Sequence, residues 1–303
     1  MSSSSASLPL KTAPGSGAMD PATLGLAIFT IIAWASAFPA IRAALGGFGP
    51  LELGSVRFAI AAVPAALFLA ITRPKLPEWR DAWRFGFGGL VFVAGYTVLL
   101  NLGQQTVSAG AASFIININP IITAALAMLV LGERFSGSQW LGSAISLSGV
   151  GLIAFGQNGA ALDLGFGVLL VLGAAFCNSL TTIVQKPLFA HHKPLTVTAW
   201  NMVVGGLLLT PFLPSGIAQA ETASTESLYA MLYLAIVPSL ITYATWTTLL
   251  SRLPAARASN LLYAAPPVAT LISFLWLGEV PTLFGILGGA MALGGVVIVN
   301  LKR

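Results

Sequence analysis

The amino-acid sequence predicts an all-α membrane protein, with ten transmembrane helices arranged as two inverted five-helix repeats and both termini in the cytoplasm. Composition is the first reason: of 303 residues, 56% are hydrophobic and only 8% are charged, and the mean hydropathy is +0.89. A soluble domain carries about a quarter charged residues. The second reason is that ten apolar runs have the length that a membrane-spanning helix needs, roughly 20 residues. The third is that the second half of the chain repeats the first.

The predicted spans are continuously apolar, which disfavours transmembrane strands, because these alternate with period two. They cover residues 22–44, 50–72, 84–102, 106–132, 137–156, 165–187, 194–213, 226–250, 255–278 and 281–301. Short connections with Gly, Pro or charge separate them, such as "RPKLPEWRDAWR" at 73–84. Residues 1–20 are rich in Ser, Gly and Pro, so we expect a disordered cytoplasmic tail. Residues 21–160 and 161–303 then form the two repeats.

The distribution of Lys and Arg predicts the orientation. If the N-terminus lies on one side and the ten spans alternate, 12 of the 14 Lys and Arg residues fall on that side. Basic residues concentrate in cytoplasmic loops, so we expect both termini in the cytoplasm and the protein in the plasma (bacterial inner) membrane. The other two, Arg42 and Arg57, lie toward the opposite side. Two interpretations are open: these arginines attract a substrate carboxylate at the outer mouth, or they extend to the membrane interface.

A shift of 146 residues aligns the two halves of the chain. The segment "SFIININPIITAALAMLVLGE" (113–133) matches "SNLLYAAPPVATLISFLWLGE" (259–279), with Pro120 over Pro266 and LGE over LGE. Five helices in each half is an odd number, so the second half begins on the opposite side of the membrane and the repeats are inverted. Inverted repeats recur in transporters, whose binding sites lie near the midplane between them.

Three features carry a resemblance to a known family: the block "SAGAASFIININP" (108–120) with LGE at 131–133, its echo "ARASNLLYAAPP" (256–267) with LGE at 277–279, and Trp34 in the first span. The chain resembles the drug/metabolite transporter superfamily, specifically its ten-helix EamA branch, over nearly everything after residue 20. Within that branch it is most similar to bacterial YddG-type aromatic amino-acid exporters. The resemblance implies a central cavity lined by helices 1, 3, 4, 6, 8 and 9.

Polar and small residues recur on single helix faces, at the spacing that places them one above another. In the fourth span, Ser113, Asn117 and Pro120 form such a face. Polar residues within spans usually face the bundle interior or a water-filled cavity; alternatively, Asn117 bonds a neighbouring helix. A proline in a span also frees a backbone carbonyl, which is tolerated where the backbone lines a cavity.

Aromatic residues near the middle of the first and eighth spans suggest walls for a flat ring ligand, although Trp and Tyr also populate the interfacial belts of membrane proteins. The predicted substrate-binding residues are Trp34, Ser36, Phe38, Tyr96, Asn117, Asn178, Tyr243, Trp246 and Tyr263. The predicted helix breaks or gating positions are Pro39, Pro120, Pro238 and Pro266.

These features together predict a transporter, acting as an exporter or facilitator of small neutral amino-acid-like metabolites, aromatic amino acids included, by alternating access around a central cavity. Its expected partners are the small-molecule substrate and the lipid bilayer, with no obligatory protein partner. The nine acidic residues fall in tails, loops or helix ends, whereas proton-coupled exchangers relay protons on buried Asp, Glu or His, so we expect facilitated diffusion. The alternative is a broad-specificity, proton-coupled drug or metabolite exporter of the same superfamily.

Enzymatic, metal-binding and nucleic-acid functions lack the residues that they need. The chain has one cysteine, Cys177, and two adjacent histidines, His191 and His192, too few for a cysteine-based metal site or an intramembrane nucleophile–base pair. We therefore expect no enzyme activity, no metal and no cofactor. The basic residues are scattered between apolar runs, so no nucleic-acid partner is expected despite a net charge of +5.

Overall fold

The computed structural model of the protein describes residues 20–131, 137–158, 165–252 and 261–300. Across these residues the regular secondary structure is helical, which confirms the all-α prediction for them. The α-helices in chain order are α1 (Pro21–Ala35), α2 (Ala37–Ala44), α3 (Pro50–Thr72), α4 (Trp79–Phe87), α5 (Tyr96–Gly103), α6 (Ala109–Ile116), α7 (Asn119–Leu131), α8 (Gly137–Asn158), α9 (Phe166–Gln185), α10 (Pro194–Leu209), α11 (Leu213–Thr222), α12 (Thr225–Ile236), α13 (Thr242–Arg252), α14 (Ala265–Leu277) and α15 (Leu283–Asn300). Residues 1–19 of the predicted tail, and Glu133, lie outside the described residues.

Short segments of other helical geometry connect several α-helices into longer rods. They are two π-helical segments, Gly88–Gly95 between α4 and α5 and Val237–Ile241 between α12 and α13, and three 3₁₀ segments, Lys186–Ala190, Thr210–Phe212 and Leu262–Ala264. π-Helical turns are rare and frequently mark functional positions. The two π segments therefore direct attention to the rods that contain α5 and α13.

Among the described residues, six rods are long and apolar enough to cross a membrane: Pro21–Ala44, Pro50–Thr72, Trp79–Gly103, Phe166–Ala190, Pro194–Thr222 and Thr225–Trp246. Four shorter apolar helices accompany them, at Ala109–Thr123, Trp140–Ile153, Leu262–Leu277 and Leu283–Gly295. Large apolar side chains point outward from these helices; Ile71, Phe166 and Leu275 are 72–75% exposed. An exposed apolar surface of this extent suits lipid rather than water.

Two helical segments lie in stretches that the sequence predicts as connections. The predicted connection 73–84 is shorter in the structure, because α4 already begins at Trp79. Its first turns are polar, so hydropathy does not detect them, but the i,i+3 ion pair between Asp81 and Arg84, 2.9 Å long, supports the helix. Helix α11 likewise extends the rod of α10 beyond the predicted end of the seventh span at residue 213.

Helices α8 and α15 pack backbone against backbone along a line of glycines, here called the α8–α15 seam. A Cβ atom added to Gly149 would lie 2.5 Å from the carbonyl oxygen of Gly288, and one added to Gly295 would meet the carbonyl of Gly142. The Ser146 hydroxyl donates to the carbonyl of Ala292 at 3.0 Å. Because rising residue numbers on α8 pair with falling numbers on α15, the two helices run antiparallel.

Helices α3 and α10 form a second antiparallel contact. Gly54 of α3 approaches Leu209 of α10, and Ala65, further along α3, packs with Ala199 near the start of α10. The contact is close because Gly206 lies against the backbone of α3, where a Cβ would be 3.1 Å from the carbonyl of Phe58. In the predicted order of ten spans, α3 and α10 are the second of each half, and α8 and α15 are the fifth.

The main hydrophobic core lies between α2, α3, α6, α9 and α12. It centres on aliphatic side chains that are fully buried, among them Ile41, Leu53, Ile115, Val171 and Leu234. Close van der Waals packing of such side chains holds the helices together at the centre of the bundle. This core positions the inner faces of α1, α5 and α13, which carry the aromatic residues described next.

Candidate functional site

Five aromatic rings from three rods form a continuous group, here called the ring cluster. Trp34 of α1 lies 5.8 Å from Tyr243 and 5.3 Å from Trp246, both on α13, between ring centroids. Tyr243 contacts Phe92 at 6.4 Å, and Phe92 contacts Tyr96 at 5.7 Å. Two of the four pairs are edge-to-face, an arrangement that aromatic rings prefer, and the other two are tilted. All five residues are half-buried, so the cluster is not sealed inside the core.

Local helix geometry explains why these rings meet. Tyr243 and Trp246 are three residues apart on α13, and Phe92 and Tyr96 are four apart, so each pair shares one helix face. Trp34 lies between the two aromatic residues of α13. Four of the five rings are predicted from the sequence. The fifth, Phe92, is not, although its four-residue spacing from Tyr96 is a signal that identifies it.

The rod containing α6 and α7 is interrupted at Asn117, beside the predicted break at Pro120. Asn117 ends α6, and both its backbone N–H and its side-chain Nδ2 donate to the carbonyl of Ser113, at 3.2 and 3.0 Å. The Ser179 hydroxyl of α9 donates to the carbonyl of Asn119 at 3.1 Å. Asn117 therefore caps the end of α6 with its own side chain. Asn178 is half-buried on α9 and precedes Ser179, the residue that bonds the start of α7.

The π segment Val237–Ile241 contains Pro238, whose nitrogen cannot donate to the carbonyl of Leu234. The hydroxyl of Ser239 donates to that carbonyl instead, at 2.9 Å. The Thr242 hydroxyl donates to the carbonyl of Val237 at 2.8 Å, and the backbone N–H of Thr242 donates to the same carbonyl. The Ser239 hydroxyl thus satisfies the carbonyl that the proline frees, and the helix continues through the irregular turn.

The first rod is interrupted at Ser36, three residues before Pro39. The Ser36 hydroxyl lies 2.6 Å from the hydroxyl of Tyr233 on α12, and it donates to the carbonyl of Ala33 at 3.1 Å. Phe38 is buried in the main core. The structure therefore brings Ser36 against α12 and Phe38 into the core, rather than into contact with the rings.

Tyr263 and Pro266 mark the beginning of the rod that ends with α14. Tyr263 lies in a 3₁₀ turn and packs, half-buried, against the main core. Pro266 is the second residue of α14, directly after that turn. Each of the four predicted break prolines thus accompanies a change in helical hydrogen bonding, as Pro120 and Pro39 do after the breaks in their own rods.

The two arginines near the first two spans have different surroundings. Arg42 forms an ion pair with Glu279, with 3.1 Å between Nε and Oε1, and donates from Nη1 to the carbonyl of Gln105 at 3.0 Å. Glu279 also accepts from the backbone N–H of Ala109. Arg57 instead donates from Nε to the Ser239 hydroxyl, at 2.9 Å.

A lateral cleft of about 320 Å³ opens between α6, α14 and α15. Its lining includes Phe114, Thr270 and Glu279, and no member of the ring cluster. The cleft is a separate feature at the side of the bundle. The convergence of aromatic rings, broken helices and an arginine near the π segment makes the ring cluster the candidate functional site.

Comparison with known proteins adds a family assignment. The chain matches the EamA-like transporter family twice, over residues 22–155 and 165–301. A probable terminal-alkyne amino-acid exporter of Streptantibioticus cattleyicolor is 36% identical over 275 residues, covering 91% of this chain and 92% of that protein. The uncharacterized transporter YdfC of Bacillus subtilis is 37% identical over 89% of this chain and 88% of its own length. A probable amino-acid metabolite efflux pump of Escherichia coli is 28% identical over 90% of this chain and 93% of its own length.

A solved crystal structure of an 18% identical protein superposes with a TM-score of 0.58, covering 91% of this chain and 96% of that one. That similarity supports the fold alone. The two family matches together span nearly all of the described helices. They agree with the family that the sequence motifs resemble, and the chain belongs to the EamA-like transporter family.

Proposed function

We propose that this protein is a bacterial inner-membrane transporter of small amino-acid-like metabolites, aromatic amino acids among them, and that the ring cluster binds the substrate. Membership of the EamA-like family makes it a multi-pass membrane transporter. Relatives in Streptantibioticus cattleyicolor and Escherichia coli carry the names of amino-acid exporters or efflux pumps. The observation that carries the aromatic preference is the ring cluster itself, because a flat substrate ring binds favourably against Trp34 and Tyr243.

The proposal includes ten spans, formed by the six long rods and the four shorter apolar helices. It also includes inverted repeats, and the antiparallel seams support them. A 146-residue shift takes Gly142 to Gly288 and Gly149 to Gly295, and the seam pairs Gly149 with Gly288 and Gly142 with Gly295. Each contact is therefore the symmetry mate of the other. Two equivalent helices that meet antiparallel are related by a two-fold axis across them, in the plane of the membrane, which is the inverted arrangement.

Alternating access follows from such a pair of repeats, since each can adopt the conformation of the other and open the same site to either side. The helix breaks near Ser36, Asn117 and Pro238 divide their rods into two segments. Each segment can tilt on its own while side-chain hydrogen bonds keep the freed carbonyls satisfied. The site between the breaks then faces one compartment at a time.

Substrate movement is proposed to be facilitated diffusion rather than proton exchange, with both termini in the cytoplasm. The acidic residues of the described chain lie in first or last helical turns, caps or connections: Asp20, Glu52, Glu78, Asp81, Glu221, Glu226 and Glu279. A proton relay usually requires an ionisable group within the bundle. The substrate gradient therefore sets the direction of net flux.

Counterflow in proteoliposomes tests this function. Vesicles loaded with unlabelled phenylalanine should accumulate external labelled phenylalanine transiently, because the carrier exchanges one for the other. Dissipating the proton gradient should leave this exchange unchanged. Competition by quaternary amines but not by amino acids would instead favour the broad-specificity alternative, and abolition of flux without a proton gradient would contradict facilitated diffusion.

The ring cluster has its own test in Trp34→Ala. We expect phenylalanine counterflow to fall about tenfold, since the variant removes two aromatic contacts and their buried area. Trp79→Ala is the matched control, because that side chain is 93% exposed at the start of α4. Full transport by Trp34→Ala in a correctly folded protein would place the binding site elsewhere.

A further inference from the structure

Arg57 is a charged side chain within the bundle whose role the ring cluster does not explain. It lies about two turns into α3, and its guanidinium is directed across the bundle, where Nε donates to the Ser239 hydroxyl of the π segment at 2.9 Å. Arginines that extend to the membrane interface run along their own helix. Arg57 instead points toward another rod, Thr225–Trp246, where it bonds Ser239.

Ser239 connects Arg57 to the helix break. Its hydroxyl donates to the carbonyl of Leu234, which Pro238 leaves without a backbone partner. The hydroxyl oxygen is then free to accept from Arg57 Nε. The Ser239 hydroxyl thus holds the guanidinium at Nε. The two terminal nitrogens, Nη1 and Nη2, form a fork that points away from the bond between Nε and Ser239.

The positive charge of Arg57 has no carboxylate partner in the part of the chain that the structure describes. The ion pairs there involve Arg42, Arg84 and His192. Nor do the terminal nitrogens of Arg57 form a hydrogen bond with any described residue. The guanidinium faces the Phe58 ring instead, with Cζ 5.1 Å from the ring centroid. A cation without a carboxylate partner within a membrane bundle is costly and indicates a functional position. Arg42, by contrast, is already neutralised by Glu279.

Arg57 also lies beside the ring cluster. Phe58, whose ring the guanidinium covers, packs in one hydrophobic cluster with Phe92, and Arg57 interacts electrostatically with Tyr96 and Tyr243. These two tyrosines are the ring neighbours of Phe92, and Tyr243 also contacts Trp34. A single small molecule can therefore place a flat ring against the cluster and an anionic group at the guanidinium.

We propose that Arg57 binds the carboxylate of the transported molecule and so selects amino acids over the corresponding amides and amines. The proposal rests on the proposed transport function and specifies one end of its substrate. The guanidinium fork forms two parallel hydrogen bonds with a carboxylate, which a neutral carboxamide cannot match. The ring cluster supplies affinity for the side chain, and Arg57 supplies recognition of the backbone carboxylate.

The test compares phenylalanine with phenylalaninamide, which keeps the ring and the amine but lacks the carboxylate. In proteoliposomes, Arg57→Gln should raise the KM for phenylalanine about tenfold or more, the effect of removing hydrogen bonds to a charged group. Uptake of phenylalaninamide should change little. Arg57→Lys keeps the charge without the fork and should give an intermediate KM. Arg42→Gln is the matched control and should leave the ratio of the two substrates unchanged.

Four outcomes overturn the proposal. If Arg57→Gln lowers uptake of both substrates equally, Arg57 has a structural role only; if it changes neither, it does not contact the substrate. If the wild-type protein transports no amino acid at all, the transport function itself is wrong, whichever variant is used. If Arg57→Gln does not fold, Arg57→Lys decides, because an unchanged preference for phenylalanine over its amide would contradict the role of the fork.

Discussion

The α8–α15 seam and the rods that carry the ring cluster are built in opposite ways. Along the seam, glycines allow two backbones to touch, and Gly149 and Gly288 leave no room for a side chain. In the rods of the ring cluster, helices are interrupted and polar side chains replace missing backbone hydrogen bonds, as Ser239 does for the carbonyl of Leu234. One region resists movement, and the other is already divided into segments.

This difference indicates that the seam stabilises the fold and that the interrupted rods move during transport. Two helices that pack backbone against backbone move as one body, because any shift of one relative to the other loses many contacts at once. A break satisfied by Asn117 or Ser239 costs little to bend, since the side-chain hydrogen bond moves with the helix end. We therefore expect substitutions in the seam to affect folding, and substitutions at the breaks to affect transport.

The largest effect is expected from Gly149→Val. An added Cβ would lie 2.5 Å from the Gly288 carbonyl oxygen and 2.6 Å from the Ala292 nitrogen, both backbone atoms. The seam must separate, so we expect stability to fall by at least about 1–3 kcal/mol, with a lower yield of folded protein. Thermal unfolding of the detergent-purified protein measures this loss.

Gly151→Val is the matched control on the same helix. A Cβ at Gly151 has no neighbour within 4 Å, and the residue is exposed. Its unfolding temperature should equal or exceed that of the wild type, because valine has a higher helix propensity than glycine. If both variants unfold at the wild-type temperature, the two helices do not depend on backbone contact.

The seam and the ring cluster also show how far sequence reasoning reaches. Regularly spaced glycines, such as Gly142 and Gly149 on α8, indicate a face for close helix contact, because close approach needs small residues at regular intervals. Helical spacing likewise predicts that Tyr243 and Trp246 share a face. Both properties depend on residues that are near one another in the chain, so one sequence contains them.

Contacts between residues that are distant in the chain cannot be predicted from local spacing. Arg42 and Arg57 are of the same residue type and lie in the first two long rods, yet Glu279, 237 residues away from Arg42, neutralises only that one. The bond from Arg57 to Ser239 spans 182 residues. Nothing local to either arginine indicates its partner, so the sequence leaves both as candidate carboxylate-binding residues and only the folded structure separates them.

An intermediate effect is expected from Pro238→Ala. The variant restores a backbone N–H that competes with Ser239 for the carbonyl of Leu234. The π segment should regularise, which stiffens the rod and withdraws the partner of Arg57. We expect phenylalanine counterflow to fall roughly three- to tenfold, because a gating motion becomes slower, with unfolding temperature unchanged or raised. A stopped-flow uptake assay measures the rate.

Pro64→Ala provides the comparison for Pro238→Ala. Pro64 lies inside α3 and is exposed, and the helix remains α-helical on both sides of it. Replacing it should raise stability without slowing transport. Equal rates for the two variants would show that the π segment has no part in the transport cycle.

The smallest effect is expected at Asp20, which caps α1 at the far end of the rod that carries Trp34. Asp20 accepts hydrogen bonds from the backbone N–H and the hydroxyl of Thr23, at 3.0 and 2.6 Å, and these bonds lower the pKa of its carboxyl. A lowered pKa means that the carboxylate stabilises the folded protein at neutral pH and loses this contribution as the pH falls through the folded value. Asp20→Ala should therefore unfold at a slightly lower temperature at pH 7.

The difference between Asp20→Ala and wild type should shrink as the pH falls below about 4, the ordinary carboxyl range. Asp20→Asn separates the cap from the charge, because its amide oxygen still accepts from Thr23 but does not titrate between these pH values. Its difference from Asp20→Ala should stay constant while the wild-type difference declines. A wild-type advantage that persists undiminished below the folded pKa would mean that the carbonyl oxygen of the protonated carboxyl accepts from Thr23 as well as the carboxylate does, and that the charge contributes nothing.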